Sequence, residues 1–189
     1  MDLLWGDEKT KQFVTNVGLI TSNGPYGENI MSAEWTHHIS YSPGLIAVCI
    51  NFDDATHANI KETKEFGVNI AATGQSIISS VAGGSTGKEV AKIKVLEKLG
   101  FKFYKAKKIK TLMVEGVTLN AECKLLQAIK LGDHTMFVGE VVEASANPNK
   151  EPLVYHKGKY WKIGECIEKP GEKKINEIRA LIDKFRKRR

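Results

Sequence analysis

Gly83-Gly-Ser-Thr-Gly-Lys88 contains the glycines, hydroxyls and lysine from which a triphosphate-binding loop is made. The Walker spacing requires glycine where Ala82 stands and serine or threonine where Glu89 stands, so the chain lacks that loop. No GxGxxG fingerprint and no GxSxG elbow occurs, which argues against a Rossmann-type dinucleotide fold and an α/β-hydrolase. His37 and His38 adjoin in a strand-like run and would point to opposite faces, a poor arrangement for holding one metal. Cys49, Cys123 and Cys166 are far apart and form no CxxC, so neither a disulfide framework nor a zinc site is expected. What remains is dispersed. Thr56-His57 stands where an apolar run gives way to a helix, and a helix N-terminus offers free N–H groups to an anion. His134 follows Gly132-Asp133 at the start of a strand, where an imidazole can hydrogen-bond or move a proton.

Residues so dispersed must be gathered by a fold. Residues 7–15 have mixed charge and predict an opening helix. Asn16–Ser22 is a short β-type run, ended by the turn formers Ser22-Asn-Gly-Pro-Tyr-Gly27, which predict a connection between two consecutive strands. Gly44–Asn51 is continuous, apolar and β-branched, and predicts a buried strand. A helix is expected over Ala55–Thr63, opened by Asp53 or Asp54, then a strand from Glu65. Gln75–Gly87 is rich in serine and glycine and reads as a loop. Lys88–Leu99 has helical spacing through Val90, Ile93, Leu96 and Leu99, with Gly100 as its stop. Glu115–Ala128 and Asp133–Glu143 alternate as long strands, and Leu153–Ile163 predicts a strand pair turning at Gly158. Ile175–Arg189 is an amphipathic helix with Ile175, Ile178, Leu181, Ile182 and Phe185 on one face. Strands do not alternate regularly with helices, so the expected class is mainly β with flanking helices, an antiparallel barrel or sandwich.

The 189 residues fit one domain, and an apolar content of 42% supports a core. No apolar run approaches the roughly 20 residues that span a bilayer, and the N-terminus lacks the pattern of a signal peptide, so a cytoplasmic location is expected. The net charge of +6 is concentrated in Lys102–Lys110 and in Lys184–Arg189. A solvated loop and a solvated helix end account for both, and no nucleic-acid-binding motif accompanies them.

Four segments, in order, resemble the flavin reductase-like family, whose fold is the FMN-binding split β-barrel of Greek-key type. They are Asn29-Ile-Met-Ser-Ala-Glu-Trp35 with Ile39–Pro43 after it, Asn51 to Phe66, Gly132-Asp-His-Thr-Met-Phe-Val-Gly-Glu-Val141, and Pro152-Leu-Val-Tyr-His-Lys-Gly-Lys-Tyr160. The resemblance runs from about Asn16 to Gly164. It implies a flavin reductase-like split-barrel domain over residues 1–170, and a basic helix over 171–189 that packs on the barrel or on a partner subunit.

The resemblance also implies a bound FMN and a place for each of its parts. The phosphate needs hydroxyl, amide or cationic donors. Thr56 and His57, the backbone around Asp53 and Asp54, Lys92 from the far side, and the Ser85 and Thr86 hydroxyls are expected there. Two aspartates beside a phosphate must point away as helix caps. Asn29, Met31, Ser32, Ala33, Glu34 and Trp35 are expected along the ribityl chain and ring edge, with Asn51 and Phe52 beside them. His134 is the expected catalytic residue, at the ring where a hydride donor or electron acceptor docks, able to orient a carboxamide or move a proton as the flavin cycles.

The resulting expectation is a homodimeric FMN oxidoreductase that uses NAD(P)H to reduce free flavin, ferric iron or a protein acceptor. A flavoredoxin-like FMN carrier without a nicotinamide site is the alternative within this class. A basic nucleic-acid-associated β-barrel is a remote alternative from another class, and it would be colourless and bind with steep salt dependence.

Overall fold

The computed structural model of the protein describes residues 1–186. The end of the basic tail, residues 187–189, lies outside them.

A single 3-10 turn, Thr10–Gln12, stands where a helix was expected over 7–15, and the chain then enters strand β1, Val14–Asn16. The charged run 7–15 buries only Thr15, so no packing offsets the cost of nucleating a longer helix. The strands that follow are β2 (Gly18–Ser22), β3 (Asn29–Ala33), β4 (Thr36–Tyr41) and β5 (Gly44–Asn51). Helix α1 is Ala55–Thr63 and β6 is Glu65–Ile70. Next come α2 (Ser76–Gly84), α3 (Lys92–Lys98), β7 (Phe103–Lys105) and β8 (Leu112–Val114). The long strands β9 (Leu119–Leu131) and β10 (His134–Ala146) are followed by β11 (Val154–His156), β12 (Lys159–Trp161) and α4 (Glu172–Lys184).

Seven strands form one antiparallel sheet in the order β3-β2-β6-β9-β10-β5-β4. Its two edges, β3 and β4, are consecutive in the chain and separated only by Glu34 and Trp35. The edges therefore return to one another at that corner and the sheet curls into a barrel that stays split. The corner is tied by Thr36 Oγ1 donating to Ala33 O (3.2 Å), by Asn16 Nδ2 donating to Thr36 O (2.9 Å), and by Cys49 N–H donating to Trp35 O (3.0 Å). The fold is the split barrel expected, mainly β with flanking helices.

Strand β2 is buried at every position because it carries two cores. Ile20 joins Val48, Ile50, Phe66, Val68, Cys123 and Phe137 inside the barrel. Val17 and Leu19 join Ile30, Ile78, Ala82, Ile93 and Leu96 on the outer face, under α2 and α3. This outer core explains α2, which replaces the loop expected over Gln75–Gly87. Serines and glycines give the segment low helix propensity, yet Ile78, Ser79 and Ala82 are buried against the sheet. Its small residues allow close approach: a Cβ placed on Gly83 would lie 3.4 Å from Ser32 Cβ. The next helix starts at Lys92 rather than at Lys88 and stops before Gly100, whose φ is +89°.

The strand expected from Glu115 begins at Leu119, after a turn in which Gly116 has a φ of +74°. The lysine-rich segment is tethered rather than simply solvated. Glu122, 4% exposed, accepts the N–H groups of Lys107 (2.8 Å) and Lys108 (2.6 Å), and Glu65 accepts that of Lys110 (2.9 Å). Helix α4 has no buried residue; Ile178, Leu181, Ile182 and Phe185 lie exposed along it. No helix among the described residues is long and apolar enough to cross a membrane.

Candidate functional site

Strand β3 organises the site because its side chains alternate between two faces. Asn29, Met31 and Ala33 lie on the face that continues the barrel interior, where Met31 and Ala33 pack with its core. Ser32 and Glu34 lie on the other, turned toward α2 and the N-terminal segment. Residues quoted as one run in the sequence therefore serve different surroundings.

At the Asn29 end the polar groups are buried. Asn29, 2% exposed, donates from Nδ2 to Thr56 Oγ1 at 2.8 Å, joining β3 to the first turn of α1. Its Oδ1 is buried without a hydrogen-bond partner. The backbone of Gly87 crosses directly over this amide, and a Cβ there would overlap Asn29 Oδ1. The Ser85–Lys88 segment thus forms the accessible surface above Asn29 and Thr56, with Thr56 itself fully buried beneath. Asp54 is the N-cap residue of α1, and no side-chain hydrogen bond caps the helix, so neither aspartate has the capping role expected for it. Burial raises the Asp54 carboxyl, while Lys92, His134, His57 and Lys88 pull it back.

Lys92 is 2% exposed, and its Nζ donates to Ala82 O (2.8 Å) and Ser85 O (3.1 Å). It therefore satisfies carbonyls at the C-terminal end of α2, where the helix dipole is negative. Burial lowers its ammonium pKa to about 8, against the pull of Asp54. His57 is turned inward: its Nε2 lies 2.9 Å from Thr135 Oγ1, and its ring meets Phe52 and Phe137 edge-on. Burial is the main cause of its lowered pKa.

His134 opens β10 opposite Asn51, the last residue of β5. A two-residue turn, Gly132-Asp133, delivers it, with Gly132 at a φ of +56°. Its Nδ1 lies 2.8 Å from Asp133 Oδ1; the carboxylate can only accept, so Nδ1 carries the proton. This contact holds the Asp133 carboxyl below its usual range. The imidazole packs against Trp35 with the rings tilted by 50° and their centroids 4.8 Å apart. Phe52 lies exposed nearby in sequence order of the site, with Lys130 Nζ 5.3 Å from its ring centre. Asp53 is exposed.

At the other end of β3 a cleft of about 490 Å³ is lined by Ser32, Glu34, Asn16, Ser79, Tyr160 and Trp5, among others. Ser32 Oγ lies 2.8 Å from Ser79 Oγ, and Tyr160 OH donates to the same Ser79 at 3.0 Å. Asn16 Oδ1 is a second buried acceptor without a partner. Tyr155 and Tyr160 lie within a segment of the sequence resemblance; Trp5, Asn16 and Ser79 carry no motif and were not anticipated. Ser85 and Thr86 follow directly on Gly83 and Gly84, which line this cleft, and so connect it with the Asn29 end.

The edge strand β3 of this split barrel thus has a buried amide beneath a lysine-bearing loop at one end and a hydroxyl-lined cleft at the other. No cluster of three or more potential metal ligands occurs among the described residues. Comparison with known proteins gives the family. Residues 10–164 match the flavin reductase like domain, and the chain belongs to the flavin reductase-like family. An uncharacterized protein of Archaeoglobus fulgidus is 34% identical over 119 residues, which are 62% of this chain and 64% of that protein. A flavin reductase (NADH) of Kitasatospora aureofaciens is 27% identical, over 80% of this chain and 78% of its own length. Among solved structures, the flavoredoxin of Methanosarcina acetivorans superposes with a TM-score of 0.75 at 20% identity, covering 91% of this chain and 95% of that one. The Streptomyces globisporus NADH:FAD oxidoreductase SgcE6 gives 0.75 at 20% identity, over 87% and 99%.

Proposed function

We propose that the chain is an FMN oxidoreductase whose cofactor lies along β3, with its ring in the cleft and its phosphate at the Ser85–Lys88 segment. The observation that carries this reading is the pairing of two complementary surroundings along one strand. Asn29 to Glu34 spans about 17 Å at roughly 3.3 Å per residue. The cleft volume of about 490 Å³ falls in the range of small-ligand sites, roughly 300–1,000 Å³. The hydroxyls of Ser32, Ser79 and Tyr160 along the cleft fit a ring edge that both donates and accepts hydrogen bonds.

Bound FMN would supply the acceptance of hydride and the passage of electrons. The chain supplies the rest. Lys88 and Lys92 provide positive charge near the phosphate, and Asn29 with Thr56 holds the floor under the loop that receives it. His134, held by Asp133 and in tilted contact with Trp35, the residue after Glu34, is the residue proposed to meet whatever docks at the ring. NADH or NADPH is the proposed donor, and free flavin, ferric iron or a protein the acceptor. The exposed apolar stripe of α4 supports a homodimer, and a cytoplasmic site of action is part of the proposal.

The test is direct. The purified protein should be yellow, release FMN rather than FAD on denaturation, and bleach on mixing with NADH or NADPH under anaerobic conditions. FAD alone in the released fraction would overturn the cofactor assignment. Bound FMN that neither nucleotide bleaches would make the chain an electron carrier reduced by another protein.

A further inference from the structure

Glu34 is the one carboxylate lining the cleft. The period of β3 places it on the same face as Ser32, just past the end of the strand. Among the described residues, the elements around it bring no cation. Helix α2 contributes Ser79, Ser80, Gly83 and Gly84, and the β1 side contributes Asn16 and Val17. The titratable groups facing it are the phenols of Tyr155 and Tyr160. Burial raises the Glu34 carboxyl above its usual range, opposed by a side-chain hydrogen bond from Trp5. Negative charge on Glu34 in turn raises Tyr155, after the effect of burial. A carboxylate so placed has no positive partner, and a further negative charge arriving beside it favours its protonation.

We propose that Glu34 is the proton partner of the flavin ring, taking up a proton when the ring is reduced and releasing it when the ring is reoxidised. This rests on the reading that the ring occupies the cleft. Reduction by a nicotinamide nucleotide breaks the C–H bond of the donor, and two electrons pass with that hydrogen to the ring. The ring gains one negative charge. A solvent proton entering by the open cleft forms an O–H bond on the Glu34 carboxylate, so the added charge is neutralised beside the ring. When two electrons leave to the acceptor, the hydrogen that arrived with them leaves as a proton, the Glu34 O–H bond breaks, and both protons return to water.

The experiment is a potentiometric titration of the FMN-loaded protein between about pH 6 and pH 9, in which the slope of midpoint potential against pH counts protons per two electrons. The parent should take up more protons than Glu34→Gln over part of this range, with a difference of one proton at its largest, and Glu34→Asp should keep the parent's count. FMN dissociation constants serve as the structural control and should stay within a few-fold of the parent. A second readout needs no variant: the infrared difference spectrum of the parent should gain a protonated-carboxyl band on reduction. A parent that binds FMN but shows no such band, or whose proton count equals that of Glu34→Gln, overturns this role alone. A parent that does not bind FMN overturns the reading of the cleft together with it.

Discussion

The two ends of β3 solve opposite problems with neighbouring residues of one strand. At Asn29 the polar groups are sealed: amide, hydroxyl and the Lys92 ammonium are at most 2% exposed, and each makes hydrogen bonds within the protein. At Ser32 and Glu34 the surroundings are open, neutral and rich in hydroxyls. Sealed polar groups fix geometry, because each lost partner leaves a buried group unsatisfied. An open cleft permits exchange of ligands and of protons with water. Under the proposed function, anchoring and chemistry are separated along the strand, and substitutions at the two ends should fail differently.

The largest effect is expected at the ring. His134→Ala should slow flavin reduction by roughly 10²–10⁴-fold, the usual cost of losing one acid–base or orienting group. Its FMN dissociation constant should change little, since the imidazole is held by Asp133 and Trp35 and makes no hydrogen bond to Asn29, Thr56 or Lys92. Stopped-flow reduction beside equilibrium FMN titration measures both. A variant that loses its flavin yet reduces the remainder at the parent rate would erase the distinction between the two ends.

Thr56→Ala should give the reverse profile. Removing the hydroxyl leaves Asn29 Nδ2 buried without its acceptor, at a cost of about 1–3 kcal/mol. Denaturant unfolding should report that loss. FMN retention should weaken, while the flavin still bound is reduced at nearly the parent rate.

Lys92 sharpens the comparison through pH. Its folded pKa of about 8 lies below the ordinary 10.5, so between these values the unfolded chain holds the proton more fully than the native one. Stability from this group therefore rises with pH through that window, and its burial penalty is complete below pH 8. Lys92→Met should remove that rise from the difference between parent and variant melting curves. Inorganic phosphate favours the charged lysine, so it should stabilise the parent more at about pH 7 than at about pH 9, a contrast absent from the variant. Equal stabilisation at both values would place the phosphate away from this lysine.

The smallest effect belongs to a region outside the comparison. Leu181→Glu, on the exposed stripe of α4, should change the unfolding free energy of the isolated chain by under about 0.5 kcal/mol. If the stripe is the dimer face, light scattering should fall from twice 21.0 kDa toward the single-chain mass. An unchanged dimer would move the interface elsewhere.

Much of this architecture was legible because local patterns and tertiary packing agree. The apolar β-branched run Gly44–Asn51 is β5, Ala55–Thr63 is α1, and the Ser22–Gly27 turn joins β2 to β3. Elsewhere packing overrode local preference. The serines and glycines of α2 look like a loop, but they are what lets a helix sit against Ser32. At the candidate site, Asn29, Thr56 and Lys92 were expected by resemblance, whereas Trp5, Asn16 and Ser79 reach the cleft from three separate parts of the chain.

Local properties of the sequence, its hydrophobic period, turn formers and family motifs, were enough to mark most of the long strands and the residue types available, though not the short pair β7 and β8. The sequence also set the order in which the motifs occur. Only the tertiary structure decided which of those residues share a space. Alternation along β3 sends Asn29 and Ser32 to different faces, α2 closes over one of them, and burial turns Lys92 from a surface cation into an internal clamp. Those outcomes depend on neighbours distant in the chain, and dielectric, exposure and pKa follow from the neighbours a group acquires rather than from its own chemistry.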